Sequence, residues 1–310
     1  MTFNRRRFLK ASAQASAALC LFDALGVQAA TPFSSIQTAP RLKAPAGSVD
    51  CHMHLYDDRY PAAPGAKLLP PNASLDDYHQ LQALLGLRRM VIVTPSTYGT
   101  DNRCMLDGLA RSRGQARGVA VLDQSITDAE LQALHKAGVR GIRFNLSYGG
   151  ADLADLEPLA ARVDELGWNV QVVATGNQLT ELESRLQRLP ARLVIDHMGH
   201  VPQPEGVNSA TFAVVTRLLD GERTWVKLSG PYIKSRSGAP DYADVGAVAR
   251  ELVRRHPERL LWGSDWPHPT VPTGNKPDDG RIFDLLADWA PDEQVRNSIL
   301  RDNPVSLYGF

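Results

Sequence analysis

The chain offers no excess charge of either sign. Lys+Arg and Asp+Glu both number 34 in 310 residues. A balanced chain has no global field to gather a polyanion or an anionic bilayer, which argues against nucleic acid and the membrane surface as main partners. Cysteine is scarce, with three residues, and Cys20 lies within the first thirty positions. The other two, Cys51 and Cys104, can form one disulfide at most. An oxidising compartment would permit it, and two buried thiols are the other reading. No glycine-rich phosphate loop follows a strand-like run, so an open dinucleotide-binding sheet finds no support. There is no internal repeat and no low-complexity tract. The Ala-rich run ending near Leu25 is too short and too weakly apolar to span a bilayer.

That run belongs to a different kind of segment. Arg5-Arg6-Arg7-Phe8-Leu9-Lys10 is a basic start, the Ala-rich stretch follows, and Val27-Gln28-Ala29 supplies small residues for cleavage. The order is that of an export signal. The R-R-x-F-L-K run resembles the twin-arginine type, which moves folded proteins. Residues 1–29 are therefore expected to be removed and the mature protein to reside in the periplasm, with no membrane attachment after cleavage. Ala17-Ala18-Leu19 before Cys20 is a poor lipoprotein box, so no lipid anchor is expected.

What remains is ordinary globular sequence, 43% hydrophobic and 22% charged. Its length exceeds the ~150 residues usual for one domain, yet single α/β barrels commonly reach it. Eight short apolar runs are expected as strands: 49–55, 90–94, 118–122, 141–146, 169–174, 193–197, 225–229 and 260–264. They are rich in Val, Ile and Leu with little alternation, as in a parallel sheet covered on its outer face. Amphipathic stretches lie between them with recognisable ends. Thr127 with Glu130 reads as a capping box, Ser74 with Asp77 as the start of another helix, and Gly114, Gly138 and Gly167 as helix stops. Eight β-then-α repeats with short connections predict a single-domain (β/α)8 TIM barrel over residues 47–310. Two longer loops, 60–71 after the first strand and 231–242 after the seventh, fall at the C-terminal face, where such barrels build their sites.

Asp50-Cys51-His52-Met53-His54 ends the first strand. Alternation places His52 and His54 on one face, and Cys51 and Met53 on the other, away from the barrel axis. Two imidazoles so spaced can bind one divalent ion, although H-x-H alone is weak evidence. The sixth strand ends in Asp196-His197-Met198-Gly199-His200, and the eighth in Ser264-Asp265-Trp266-Pro267-His268. Strand ends of a barrel converge on one mouth, so His52, His54, His197 and Asp265 are expected as one reaction centre.

These three motifs, V-D-C-H-M-H, I-D-H-M-G-H and L-W-G-S-D-W-P-H, resemble the amidohydrolase superfamily, and within it the amidohydrolase-2-type lactonases. Tyr60–Gly65, Gly99–Asn102, Gly141–Asn145 and Trp225–Gly230 support that branch. The resemblance implies hydrolysis of a small anionic lactone, of the pyrone-dicarboxylate or sulfomuconolactone kind. It implies Asp265 and His197 as catalytic groups, and His52, His54, His197 and Asp265 as metal ligands. One departure matters. Two-metal members carry a carboxylate or carboxylated Lys on strand four and a His on strand five, where this chain has Arg143, Asn145, Gln171 and Thr175. One zinc ion is therefore expected, with a metal-free site as the alternative, because metal use in this branch is divided. Arg143, inward on strand four, is expected to grip a carboxylate or sulfonate through its fork. Ser96, Thr97, Tyr98, Asn102 and Arg236 are expected as further substrate contacts, with Lys234, Tyr56 and Tyr232 behind them. A lactone isomerase or a decarboxylase is the rival enzyme. The related isomerase has Asn in place of Asp265, which favours hydrolysis here. A periplasmic anion-binding protein is the non-enzymatic rival, but such proteins are usually two hinged lobes.

Overall fold

The computed structural model describes residues 31–35 and 39–310. The expected export signal, residues 1–29, lies outside them. All eight expected strands are present: β1 Val49–Met53, β2 Arg89–Val93, β3 Ala116–Ala120, β4 Val139–Asn145, β5 Asn169–Val173, β6 Arg192–Ile195, β7 Thr224–Leu228 and β8 Leu260–Trp262. Each pairs in parallel with its successor, in the order β1 to β8. A helix follows every strand, the eight spanning Leu75–Leu85, Arg103–Arg111, Asp128–Ala137, Leu156–Asp164, Gly176–Gln187, Ala210–Asp220, Ala243–Arg255 and Asp279–Trp289. Both expected helix starts are present, and Ser74 and Thr127 form capping boxes with Asp77 and Glu130, which satisfies orphan N–H groups there.

The seam between β8 and β1 is closed by residues just past β8. Asp265 N–H donates to the His52 carbonyl at 2.8 Å, and His54 N–H donates to the Trp266 carbonyl at 2.9 Å. Gly263 makes this approach possible, because a Cβ there would stand 2.7 Å from the His52 Cβ.

Two apolar layers result. Ile142, Phe144, Val170, Val172, Leu193 and Ile195 face the helices. Val49, Cys51, Val91, Val93, Val119, Val194, Trp225 and Leu261 form a separate cluster inside the barrel, closed from below by Leu307 and Tyr308. Cys51 therefore faces inward, not outward as alternation predicts. The register of β1 against β2 shifts between Asp50 and Met53. That irregularity resets the alternation, so Cys51 and His52 can both face the lumen. Cys104 packs outside the wall, among the helix-facing residues. Both thiols are free and buried, on opposite sides of the sheet, and the disulfide option is corrected accordingly.

Candidate active site

Above the apolar plug the lumen turns polar. His52 and His54 leave β1 with their Nε2 atoms 3.2 Å apart. Asp265 reaches them from the end of β8, its Oδ1 lying 3.6 Å from His52 Nε2 and 3.7 Å from His54 Nε2. Its other oxygen accepts a 2.6 Å hydrogen bond from the Tyr232 hydroxyl. That hydroxyl also lies 2.9 Å from His268 Nδ1, and His268 Nε2 faces Asp279 at 3.2 Å. A chain of three groups, Tyr232, His268 and Asp279, thus backs one carboxylate.

His197 arrives from β6 through an unusual turn. His197, Met198, Gly199 and His200 all have positive φ, between 49° and 68°. Left-handed backbone is costly for residues with a Cβ, and a run of it at a strand end is strain of the kind found at functional sites. Its effect is to stack His200 on His197, with ring centroids 5.7 Å apart and planes within 15°. Both rings line the same cavity as His54, Tyr56, Ser96, Arg143, Asn145, Tyr148 and Asp265. His197 Nδ1 lies 2.9 Å from Ser229 Oγ. His200 is buried, and neither of its ring nitrogens has a partner among the described residues.

Burial dominates the electrostatics. It pushes Asp265 up to about 6, against the Tyr232 hydrogen bond and the nearby His268 and Arg143. It draws His54 down to about 3 and His200 to about 4, helped by Arg143 and Lys234 respectively. His52 and His197 are pushed well below the usual imidazole range for the same reason. All four imidazoles are neutral at pH 7. Beneath them Lys227 is fully buried. Its Nζ lies 2.9 Å from His52 Nδ1, 2.6 Å from Gln171 Oε1 and 3.0 Å from Asp196 Oδ1. Burial lowers Lys227, and the Asp196 carboxylate opposes it. Burial likewise works to raise Asp196, but Lys227, His52 and Arg143 outweigh it and hold the carboxyl well below its usual range.

His52, His54 and Asp265 could hold one metal ion, since one donor atom from each lies within 4.8 Å of the others. The 3.2 Å separation suits two ligands about 2.0–2.1 Å from one zinc. His197 does not join this set. It groups instead with His52 and Asp196, so the expected four-ligand cluster divides in two among the described residues.

The amidohydrolase family model matches residues 49–310. The chain belongs to that family. This amidohydrolase is 39% identical over 282 residues to a 2-pyrone-4,6-dicarboxylate hydrolase of Comamonas testosteroni, covering 87% of this chain and 92% of that one. It is 36% identical to a D-galactarolactone isomerase of Agrobacterium fabrum, covering 87% and 94%. A solved apo structure from Agrobacterium tumefaciens superposes with a TM-score of 0.83 at 34% identity, covering 90% of this chain and 98% of that one.

The other expected contacts of this amidohydrolase divide sharply. Arg143 and Ser96 line the cavity. Arg143 also donates through Nε to Asp196 Oδ2 at 3.1 Å, which orients its fork. Thr97 instead donates to the Leu68 carbonyl at 2.8 Å. The Tyr98 hydroxyl accepts from Asp57 N–H at 2.8 Å, so Tyr98 fastens the loop after β1. Asn102 is held by Thr94 and Val121, which ties the ends of β2 and β3 together. Arg236 is exposed and absent from the cavity lining, its backbone N–H fixed by Asp244. Thr97, Tyr98, Asn102 and Arg236 are absent from this cavity's lining, and for Thr97, Tyr98 and Asn102 local hydrogen bonds engage groups that the strand-end position alone assigns to substrate. Sequence reasoning missed Lys227, Asp196, His200 and His268. The signal for Lys227 was available: a lysine inside the apolar run of β7, at the inward parity of Trp225 and Ser229.

Proposed function

We propose that this amidohydrolase opens a small anionic lactone by attack of water, with Asp265 as general base. The observation that carries the reading is the Asp265 carboxylate, raised to about 6, buried and fixed by Tyr232 beside neutral imidazoles. A base with that affinity is unprotonated at pH 7 and still takes a proton effectively. Water held by Asp265 attacks the ring carbonyl while its proton passes to the carboxylate. His197 stands ready as the donor to the carbonyl oxygen. When the Ser229 hydroxyl donates to its Nδ1, the proton of the neutral ring sits on Nε2 and faces the developing oxyanion. Asp265 then returns its proton to the leaving ring oxygen, which yields the open acid. Arg143 supplies the cation that an attached carboxylate or sulfonate requires, through the part of its fork not used by Asp196. The relationship to a pyrone-dicarboxylate hydrolase supports this substrate class. Zinc is the metal proposed for His52, His54 and Asp265, and when bound it would supply Lewis-acid polarisation of the carbonyl.

A related isomerase makes the competing outcome concrete. Purified protein should be given a panel of anionic and neutral lactones, with proton release and product NMR followed together. Hydrolysis releases one proton per ring opened and leaves a free acid. A rearranged lactone with no net proton release would replace the hydrolase reading by an isomerase.

A further inference from the structure

We propose that Lys227 fixes His52 as the tautomer protonated on Nε2, so that His52 and His54 share a proton where a divalent ion would otherwise sit. Lys227 is a positioning residue on this view, and it sets how readily the site accepts metal.

Hydrogen-bond direction is set along a buried network from one fixed end to the other. Asn169 Nδ2 donates to the Arg140 carbonyl at 2.8 Å, which leaves its Oδ1 as acceptor. Gln171 Nε2 donates to that Oδ1 at 2.9 Å and to the Tyr308 hydroxyl at 3.0 Å, so Gln171 Oε1 must face Lys227 as acceptor. Lys227 Nζ is hydrogen-bonded to Gln171 Oε1 at 2.6 Å and to His52 Nδ1 at 2.9 Å, and it pairs as an ion with Asp196 Oδ1 at 3.0 Å. An ammonium has three protons and no lone pair. His52 Nδ1 is therefore an acceptor from Lys227 at 2.9 Å, closer than the Asp196 Oδ1 at 3.5 Å that would favour a proton there, and the proton of the neutral ring resides on Nε2.

The far end agrees independently. His54 Nδ1 lies 2.8 Å from the Val93 carbonyl, which can only accept, so His54 Nε2 carries a lone pair. The two Nε2 atoms stand 3.2 Å apart. With His52 protonated on Nε2 this is a hydrogen bond. With His52 protonated on Nδ1, two lone pairs would oppose each other in a buried site.

His54 is arranged as metal-binding histidines are, with its second nitrogen donating to a carbonyl. His52 is arranged the opposite way, its second nitrogen facing a cation. Metal entry must displace the shared proton and turn His52 over to the tautomer that Lys227 disfavours. Removing such a partner of a ligating histidine ordinarily weakens metal affinity by 10–100-fold. Here the sign is reversed.

The test compares wild type with Lys227→Met and Lys227→Gln. Zinc affinity is measured at fixed pH by competition with a chromophoric chelator, and the His52 ring nitrogens are read by 15N NMR of the metal-free wild type. The expected results are a protonated Nε2 and bare Nδ1 on His52, and zinc binding at least ~10-fold tighter in the variants. A His52 protonated on Nδ1 would overturn the proposal, as would variants that fold and bind zinc no better than wild type. If neither variant folds, the wild-type spectrum decides. No outcome depends on which lactone is opened.

Discussion

Asp265→Asn perturbs two measurable properties at once, and the structure fixes the sign of each. The Asn side chain keeps the size of the carboxyl and still accepts from Tyr232, but it cannot take a proton from water. General-base catalysis contributes about 10²–10⁴-fold, so kcat should fall at least ~100-fold. Stability should move the other way. The carboxyl titrates near its ordinary value of 3.8 in the unfolded chain and near 6 in the fold. Between those values the native state holds the proton more tightly, so the protonated side chain favours folding at low pH. That advantage is lost as pH rises through about 6. The shift corresponds to ~3 kcal/mol at about 1.4 kcal/mol per unit. Asn resembles the protonated form at every pH. At pH 8 the variant should therefore be more stable than wild type, by ~6 °C in Tm at about 2 °C per kcal/mol for a barrel of this size. At pH 4 the difference should nearly vanish. The assay is thermal unfolding across pH with chelator present, beside steady-state kinetics in which wild-type kcat/KM rises with pH and levels above about 6. A variant less stable than wild type at pH 8, or a difference independent of pH, would refute the argument that burial strains this carboxylate.

Three further outcomes follow from other parts of the molecule. Arg143→Met also frees Asp196, so the diagnostic is the ratio between substrates: loss of ~2–4 kcal/mol of carboxylate binding should cost an anionic lactone at least ~30-fold more in kcat/KM than a neutral one, and equal losses would assign Arg143 a structural role. His200→Phe keeps the ring stacked on His197 and removes two unpaired nitrogens; KM should rise about 3–10-fold, the worth of one neutral hydrogen bond, and an unchanged KM would show that substrate does not reach His200. Export through the twin-arginine route is proposed from Arg5-Arg6 and the residues after them; changing both to Lys should trap the precursor in the cytoplasm, and undiminished periplasmic activity would exclude that route.

The barrel was legible in the sequence because its signals are local. Apolar runs of strand length, helix starts at Ser74 and Thr127, and stops at Gly138 and Gly167 each act within a few residues. The gathering of His52, His54 and Asp265 was legible too, since barrel topology alone sends strand ends to one mouth. What escaped were features set by contacts distant in the chain. The register shift in β1 turned Cys51 inward, and no pattern in V-D-C-H-M-H announces it. Thr97, Tyr98 and Asn102 have the chemistry of substrate ligands, but the carbonyls of Leu68, Asp57 and Val121 reach them first. His200 was visible in the motif but had no role until a left-handed turn carried its ring onto His197.

The seam between β8 and β1 also governs when the site comes into being. Its bonds join residues as far apart as Asp50 and Ser264, 214 positions along the chain. Loop closure over such a separation is slow and follows the formation of local contacts. During synthesis the histidines of β1 emerge early and wait, without their carboxylate, until nearly the whole chain has left the ribosome. No fragment lacking β1 or the segment just past β8 can bring Asp265 to His52. Catalytic activity is therefore a clock for the last step of folding. In a refolding experiment its recovery should lag behind the return of helical signal, and a truncation that removes β1 or the segment past β8 should abolish it while much of the secondary structure persists.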